Sequence, residues 1–322
     1  MVMVALVDGH KFALVAVTQC RTDVRGEIDL GYGTTALRRI VDVLDPTWRS
    51  WLGESGTGEI ERANLVLFRS KASNSPRILD GENDELVQEV TDVWAVLQFS
   101  GIVERHTVTW LTGTVEAGKL NFRQIGHARP FFTSTASVTT VATTDRLRSA
   151  DRHAHDWSTI IASGRYKRLI RGANVLMGGL QEYYGQERLH QFVRSLEALI
   201  LPQVGSTQRQ FVHRSQTFTI ANQGHAMILN DMFAMRSAVE HLHESASALE
   251  QQYADEQQRM RLAERRTRQA EALATWAYRR LLDNAILRAE FETDLTISAF
   301  WQRPDHERKA IWGASLDLTI IT

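Results

Sequence analysis

The chain has 322 residues, of which 43% are hydrophobic and 23% charged, and its formal net charge is −1 at pH 7. We expect a soluble globular protein of about two domains, and the near-neutral charge excludes whole-molecule attraction to nucleic acid or to an anionic membrane. The single cysteine, Cys20, excludes an intramolecular disulfide and a thiolate metal cluster and favours a reducing cytoplasm. No apolar run approaches the roughly 20 residues that a membrane-spanning helix needs.

The N-terminal part, residues 1–150, is predicted to be an α+β domain with a mixed, mainly antiparallel sheet. Short runs of alternating apolar residues between turn residues favour strands at 11–17, 63–68, 106–115 and 119–125. The last two runs predict a hairpin closed around Glu116-Ala117-Gly118. Residues 84–101 carry apolar side chains at helical spacing and end at a glycine, which predicts a helix.

The two ends of this domain are less regular. The opening residues resemble a signal peptide only superficially, because residues 8–11 (DGHK) interrupt the apolar run and no small-residue cleavage site follows. We interpret them as two strands that meet at the Asp8-Gly9 turn. The Ser/Thr-rich segment 131–145 is either an edge strand or the connector to the next domain.

The C-terminal part, residues 151–322, is predicted to be an all-α bundle. Apolar residues recur at helical spacing in several successive segments, which are joined by short loops and form an antiparallel arrangement. The segments are 165–185, 186–200, 206–218, 228–242 and 250–290. No internal repeat or low-complexity tract interrupts them.

One of these segments, "LNDMFAMRSAVEHLHE" (229–244), carries an arginine and two histidines beside its apolar stripe. On an ideal helix Arg236 and His243 lie within roughly 20° of each other, whereas Arg236 and His241 point roughly 140° apart. Arg236 and His241 could therefore act together only if the helix deforms or if a second copy of the chain supplies the partner.

These residue types suit RNA cleavage. A histidine can take the proton of a ribose 2′-hydroxyl near neutral pH, and an arginine can hold the phosphate and stabilise the charge of the transition state. No metal or other cofactor is needed when the RNA supplies its own nucleophile, and DNA, which lacks the 2′-hydroxyl, is excluded as a substrate. The alternative is that these residues only solvate the end of a helix.

The segment "MRSAVEH" resembles the Arg-x(4–6)-His signature of the HEPN superfamily (higher eukaryotes and prokaryotes nucleotide-binding), in the form of its ApeA-like branch. The preceding segments "FVRSLEALILPQ" (192–203) and "QRQFVHRSQTF" (208–218) are similar to the helices that precede the signature in that branch. The resemblance covers roughly residues 160–290. Two positions depart from it: Glu240 stands where an apolar residue is usual, and Leu242 stands where glycine is expected.

The resemblance implies a helical domain that dimerises so that two Arg/His pairs face one another. It makes Arg236 the catalytic arginine and His241 the catalytic histidine, with His243 at the longer permitted spacing. It also implies an endoribonuclease in bacterial anti-phage defence or a toxin–antitoxin system, with a phage-derived trigger or an antitoxin as partner, whose N-terminal domain would sense the trigger or restrain the nuclease. Either departure in the motif would explain a weakened or lost active site.

Several further residues are candidates to support such a site. Glu197 can pair with Arg236 or belong to an ordinary ion pair on a helix surface, and Glu240 lies within the motif itself. Arginines downstream and upstream of the motif can contact the RNA backbone, although the glutamates among them also suit a solvated helix face. The candidates for RNA binding are Arg214, Arg259 and Arg265.

Two other motifs are set aside. "GESGTGE" (53–59) has the glycines of a phosphate-binding loop but a glutamate in place of its lysine, so we interpret it as an ordinary loop. "RHAHD" (152–156) is interpreted as an exposed segment, and no metal site is predicted. The leading hypothesis is thus a cytoplasmic, dimeric, metal-independent endoribonuclease. The alternatives are a non-catalytic module for RNA binding or dimerisation, and an adaptor that recognises a phage component.

Overall fold

The computed structural model of the chain describes residues 6–18, 20–40, 44–45, 47–75, 77–103, 107–132, 141–250 and 252–322. These residues form two compact units. The first ends at Ser158, and the second consists of Thr159–Thr322 together with Phe132. The helix Thr144–Ala162 contains the point of division, whereas the sequence predicted a boundary between residues 150 and 151.

The first unit contains a six-stranded antiparallel sheet, which confirms the predicted α+β class. Its strand order is β2-β3-β4-β1-β5-β6. The strands are β1 (His10–Val17), β2 (Glu27–Asp29), β3 (Thr35–Leu37), β4 (Leu65–Ala72), β5 (Val108–Glu116) and β6 (Lys119–Ala128). The helices of this unit are α1 (Trp48–Arg62), α2 (Gly81–Phe99) and the first part of α3 (Thr144–Ala162).

The predicted hairpin is the pair β5–β6. Glu116 pairs with Lys119, so the turn consists of Ala117 and Gly118, which have φ values of 51° and 66°. Two consecutive residues with positive φ are typical of a turn whose twist matches that of the flanking strands. Local sequence chemistry was therefore sufficient to place this hairpin.

The central strand β1 is buried on both faces because hydrophobic clusters cover both sides of the sheet. Ala13, Val15 and Val17 pack with residues of α2 and α3, and Phe12 and Leu14 pack with Trp48 and Ile60 of α1. A continuously apolar strand is expected where both faces of a sheet are covered.

One interpretation of this unit is corrected, and two others fall wholly or mostly on residues that the structure does not describe. The segment 53–59 is not a loop: it belongs to α1, where Gly53 alone departs from helical backbone angles with φ 67°. The residues before and after Gly53 are helical, so α1 is kinked at Gly53 and continues beyond it. The first strand proposed before Asp8 and most of the segment 131–145 lie outside the described residues.

The second unit is helical from α4 onward, in agreement with the prediction of a helical C-terminal region. Its α-helices are α4 (Lys167–Gln181), α5 (Gly185–Ile200), α6 (Thr207–Ser215), α7 (Gln223–Glu240), α8 (Glu256–Asp283), α9 (Ala285–Ala289), α10 (Asp294–Gln302) and α11 (Asp305–Trp312). A short 3₁₀ helix, Ser245–Leu249, joins α7 to α8. No helix in the described part of the chain is long and apolar enough to cross a membrane.

Helix α5 is the centre of this unit, since it packs against α4, α7 and α8. Its predicted apolar face is buried, and two glycines of α4 let the helices approach closely. A Cβ atom at Gly172 would lie 1.9 Å from the Tyr278 hydroxyl, and one at Gly179 would lie 2.9 Å from the Phe192 ring. Larger residues at either position would force α4 away from α5 and α8.

A buried polar network joins α7 to α8. Arg266 donates two hydrogen bonds to Oδ2 of Asp231, at 3.0 and 2.8 Å, and a third to Gln269 at 2.9 Å. Gln269 in turn donates to the carbonyl of Leu318 at 2.8 Å. Because buried charges are costly unless they are paired and hydrogen-bonded, this network fixes how α7 lies against α8.

Candidate functional site

Helix α7 carries the predicted motif. It begins at a cap in which the Asn222 side chain accepts a hydrogen bond from the backbone N–H of His225 at 2.9 Å. Its buried face includes Ile228, Met232, Met235 and Val239, at the predicted spacings of four, three and four residues. The motif arginine therefore lies near the C-terminal end of a firmly packed helix.

The structure corrects the prediction at the end of this helix. Helix α7 ends at Glu240, and the N–H of His243 donates to the carbonyl of Ala238 at 2.9 Å. Leu242 adopts a left-handed φ of 61° and is 96% exposed, so it does not belong to the buried stripe. This pattern of hydrogen bonds is a Schellman cap, in which the left-handed position favours glycine.

The helix end also changes the geometry of the histidines. The angles of 20° and 140° assumed a continuous helix, but His241 is the C-terminal cap and His243 lies beyond the left-handed turn. Both residues are exposed, and within the described residues neither imidazole makes a hydrogen bond or an ion pair. The structure thus leaves both imidazoles accessible and does not bring either into contact with Arg236.

The guanidinium of Arg236 lies between two carboxylates. It pairs with Glu197 of α5 at 3.0 Å and with Glu240 one turn further along α7. The side chains of Arg236 and Glu197 are only 14% and 13% exposed, and the guanidinium also lies 5.7 Å from the centre of the Phe233 ring. Both predicted supporting residues therefore contact the predicted catalytic arginine.

A third histidine, which the sequence analysis missed, completes this cluster. Nε2 of His190, on α5, lies 3.7 Å from Oε1 of Glu240. Both of its ring nitrogens are buried without a hydrogen-bond partner among the described residues. The signal that could have found it is the spacing of seven residues between His190 and Glu197, which places both on one face of α5.

Burial controls the protonation of this cluster. It raises the pKa of Glu197, since desolvation outweighs the attraction of Arg236, and Glu240 adds to the rise. Burial also lowers the pKa of His190, with the positive charges of Arg194 and Arg236 acting in the same direction. At neutral pH the imidazole of His190 is accordingly neutral, and Arg236, Glu197 and Glu240 together carry a net charge of −1 when both carboxyl groups are ionised.

The three arginines predicted to bind RNA make contacts within the fold. Arg214, Arg259 and Arg265 each donate hydrogen bonds to backbone carbonyls, and Arg214 also lies 5.5 Å from the centre of the Trp301 ring. The carbonyls are those of residues 200 and 201 for Arg214, 253 and 254 for Arg259, and 319 and 321 for Arg265, at 2.7–3.0 Å. These hydrogen bonds satisfy carbonyls at the C-terminal end of α5, in the segment before α8 and in the segment after α11.

The arrangement offers one cation, two carboxylates and three imidazoles around the C-terminal end of α7. An arginine can bind a phosphodiester, and an accessible imidazole can transfer protons at neutral pH. In the described part of the chain, no group of three or more His, Cys, Asp or Glu side chains is placed to hold a metal ion. In comparisons with known proteins, no family model, no curated protein and no solved structure matches this chain.

Proposed function

We propose that the helical unit is a HEPN-type endoribonuclease that cleaves RNA without a metal ion. The observation that carries this proposal is the placement of Arg236 and its neighbours at the end of α7. Glu240 contacts both Arg236 and His190, and the next residue in the chain is the exposed His241. An anion-binding group and an exposed imidazole thus lie at the same helix end, without contact within one copy of the chain.

The reaction is an internal transfer of the phosphoryl group. The ribose 2′-oxygen forms a bond to phosphorus while the bond to the 5′-oxygen breaks, which leaves a 2′,3′-cyclic phosphate and a 5′-hydroxyl. One imidazole takes the proton of the 2′-hydroxyl, and an acid returns a proton to the departing 5′-oxygen. Arg236 binds the non-bridging oxygens and stabilises the added charge in the transition state.

We propose that His241 is the acid or base and that two copies of the chain form the complete site. Arg236 and His241 do not meet within one copy, and a two-fold pairing of α7 ends would bring each arginine towards the partner's histidine. A dimer can be recognised by mixing two inactive variants, Arg236→Ala and His241→Ala. Recovered activity in the mixture would support a site shared between copies.

The proposal is tested with purified protein and labelled RNA in EDTA. The wild type should cleave RNA and leave DNA intact, and Arg236→Ala and His241→Ala should each reduce the rate by about 10²–10⁴. His243→Ala and His190→Ala, measured beside them, identify which imidazole transfers the proton. A cleavage rate that is unchanged in Arg236→Ala would refute the assigned chemistry.

The two carboxylates on Arg236 favour a second candidate function, a non-catalytic module for RNA binding or dimerisation. A phosphate must compete with Glu197 and Glu240 for the guanidinium, and their joint charge opposes its approach. Retention of RNA without cleavage would support this candidate. By the resemblance described above, we place either activity in the cytoplasm, in bacterial anti-phage defence or a toxin–antitoxin system, with a phage component or an antitoxin as partner.

A further inference from the structure

A second cationic feature of the helical unit lies at the N-terminal end of α4. A cavity of about 520 Å³ opens there, and its walls come from the start of α4, from α5 and from the segment that leads into α10. Its basic lining residues are Arg165, Lys167, Arg168 and Arg171. They lie within seven consecutive residues, and no acidic residue interrupts the run.

The cavity keeps an excess of positive charge. Glu292 pairs with Arg165, and Asp294 pairs with Arg168 at 2.9 Å. Four cations face these two carboxylates, so the lining carries a net charge of 4 − 2 = +2. The two cations without an ion pair among the described residues are Lys167 and Arg171, and both are exposed.

This charge contrasts with that of the whole chain. The chain as a whole carries −1, so its surface has no general attraction for polyanions. On α8, Arg266 is committed to Asp231 and Arg265 to backbone carbonyls. Lys167 and Arg171 lie one turn apart on α4, exposed like Arg261 and Arg279 of α8 but beside a cavity that a ligand can enter.

The cavity and the cluster around Arg236 both involve helix α5, but at faces about 100° apart, because consecutive residues of a helix point in directions that differ by about 100°. Its α5 wall is Ala198, and the preceding residue, Glu197, is the carboxylate that holds Arg236. The exposed Arg194 lies one turn earlier on α5 and adds positive charge beside Glu197. An RNA backbone that contacts both Arg236 and the cavity must therefore pass around α5.

We propose that this cavity binds the phosphate backbone of the RNA that is cleaved at Arg236. The inference rests on the proposed function and names the contacts that hold its substrate. Lys167 and Arg171 bind phosphates directly. Arg168 can exchange its exposed carboxylate partner, Asp294, for phosphate oxygens, because exposed ion pairs are weak. Such contacts recognise the backbone without reading the bases.

The experiment measures binding separately from cleavage. Fluorescently labelled 2′-O-methyl RNA lacks the nucleophile and stays intact, so its affinity is measured with the full chain and an unaltered catalytic cluster. The test variant is Lys167→Ala/Arg171→Ala. The matched control is Arg261→Ala/Arg279→Ala, which removes two exposed arginines of α8 outside the cavity. Thermal unfolding of both variants verifies that each remains folded.

The cavity variant should bind RNA roughly tenfold more weakly, and the slope of log K against log salt should fall by about 1.4, or 0.7 for each lost phosphate contact. The control should bind like the wild type. Equal losses in both variants, or no loss in either, would overturn the assignment of the cavity.

Two outcomes separate this inference from the proposed function. Cleavage of ordinary RNA with no contribution of the cavity residues to affinity would refute the cavity and leave the nuclease intact. Binding that depends on the cavity, without cleavage of ordinary RNA, would support the cavity and refute the nuclease. A wild type that binds no RNA would overturn both.

Discussion

The substitution Glu240→Gln tests whether the second carboxylate on Arg236 competes with RNA. Glu240 is the more exposed of the two partners, at 37% compared with 13% for Glu197, and it departs from the apolar residue that the resemblance leads one to expect. With both carboxylates ionised, the cluster carries −1 beside a phosphodiester that also carries −1. Glutamine removes one negative charge and keeps the size of the side chain.

The expected gain follows from the distance between the charges. A carboxylate about 5 Å from a phosphate repels it by about 1 kcal/mol in bulk water and by about 3 kcal/mol at the effective dielectric constant near a protein surface. Because Glu240 is partly exposed, the lower part of this range applies, and RNA should bind roughly five- to tenfold more tightly. The loss of the helical ion pair should cost only about 0.5 kcal/mol of stability.

The assay is the affinity for 2′-O-methyl RNA at several salt concentrations, because screening should reduce the gain as salt rises. Glu244→Gln is the matched control. Glu244 is an exposed glutamate four residues after Glu240, and its side chain does not contact Arg236. Unchanged or weaker binding in Glu240→Gln would refute the reasoning. It would mean that Glu240 orients the guanidinium for RNA and does not compete with it.

Three further predictions concern stability. Asp231→Asn should lower the free energy of unfolding by about 3–5 kcal/mol, because it leaves the buried Arg266 without its counterion. Chemical denaturation measures the loss, and a loss below about 1 kcal/mol would contradict the prediction. Leu242→Gly should raise the free energy of unfolding by about 1 kcal/mol, because glycine adopts the left-handed conformation without strain and the exposed leucine side chain contributes no buried surface. A melting temperature of Leu242→Gly below that of Leu242→Ala would contradict the assigned cap. Burial, aided by Glu89, raises the pKa of Asp92 to about 6, so folding favours its protonated form. Its contribution to stability is therefore complete below about pH 4 and is lost as pH rises through 6. Asp92→Asn should be more stable than the wild type by about 1–3 kcal/mol at pH 7 but not at pH 4, as urea unfolding at the two pH values would show; equal differences at both would contradict the raised pKa.

Local sequence patterns were sufficient to predict the elements whose conformation depends on neighbouring residues in the chain. The hairpin at Glu116–Lys119 depends on two residues that tolerate positive φ, and the buried faces of α5 and α7 follow from the helical period. The order of the strands, with β1 between β4 and β5, could not be read in the same way. Each strand is apolar on its inner faces, so many pairings satisfy the same pattern.

The candidate site, too, was predicted from the sequence in some features and decided by the tertiary structure in others. The sequence by itself determined which residue types are present, the Arg-to-His spacing and the glutamate that interrupts the motif. Only the tertiary structure decided that α7 ends at Glu240, that Glu197 and Arg236 form an ion pair from 39 positions apart, and that His190 joins them. The physical reason is that a side chain's partners depend on how helices pack, and packing joins residues that no local period relates. The same packing pairs Arg265 and Arg266 of α8 with groups of the fold and leaves Lys167 and Arg171 of α4 exposed, without an ion pair among the described residues.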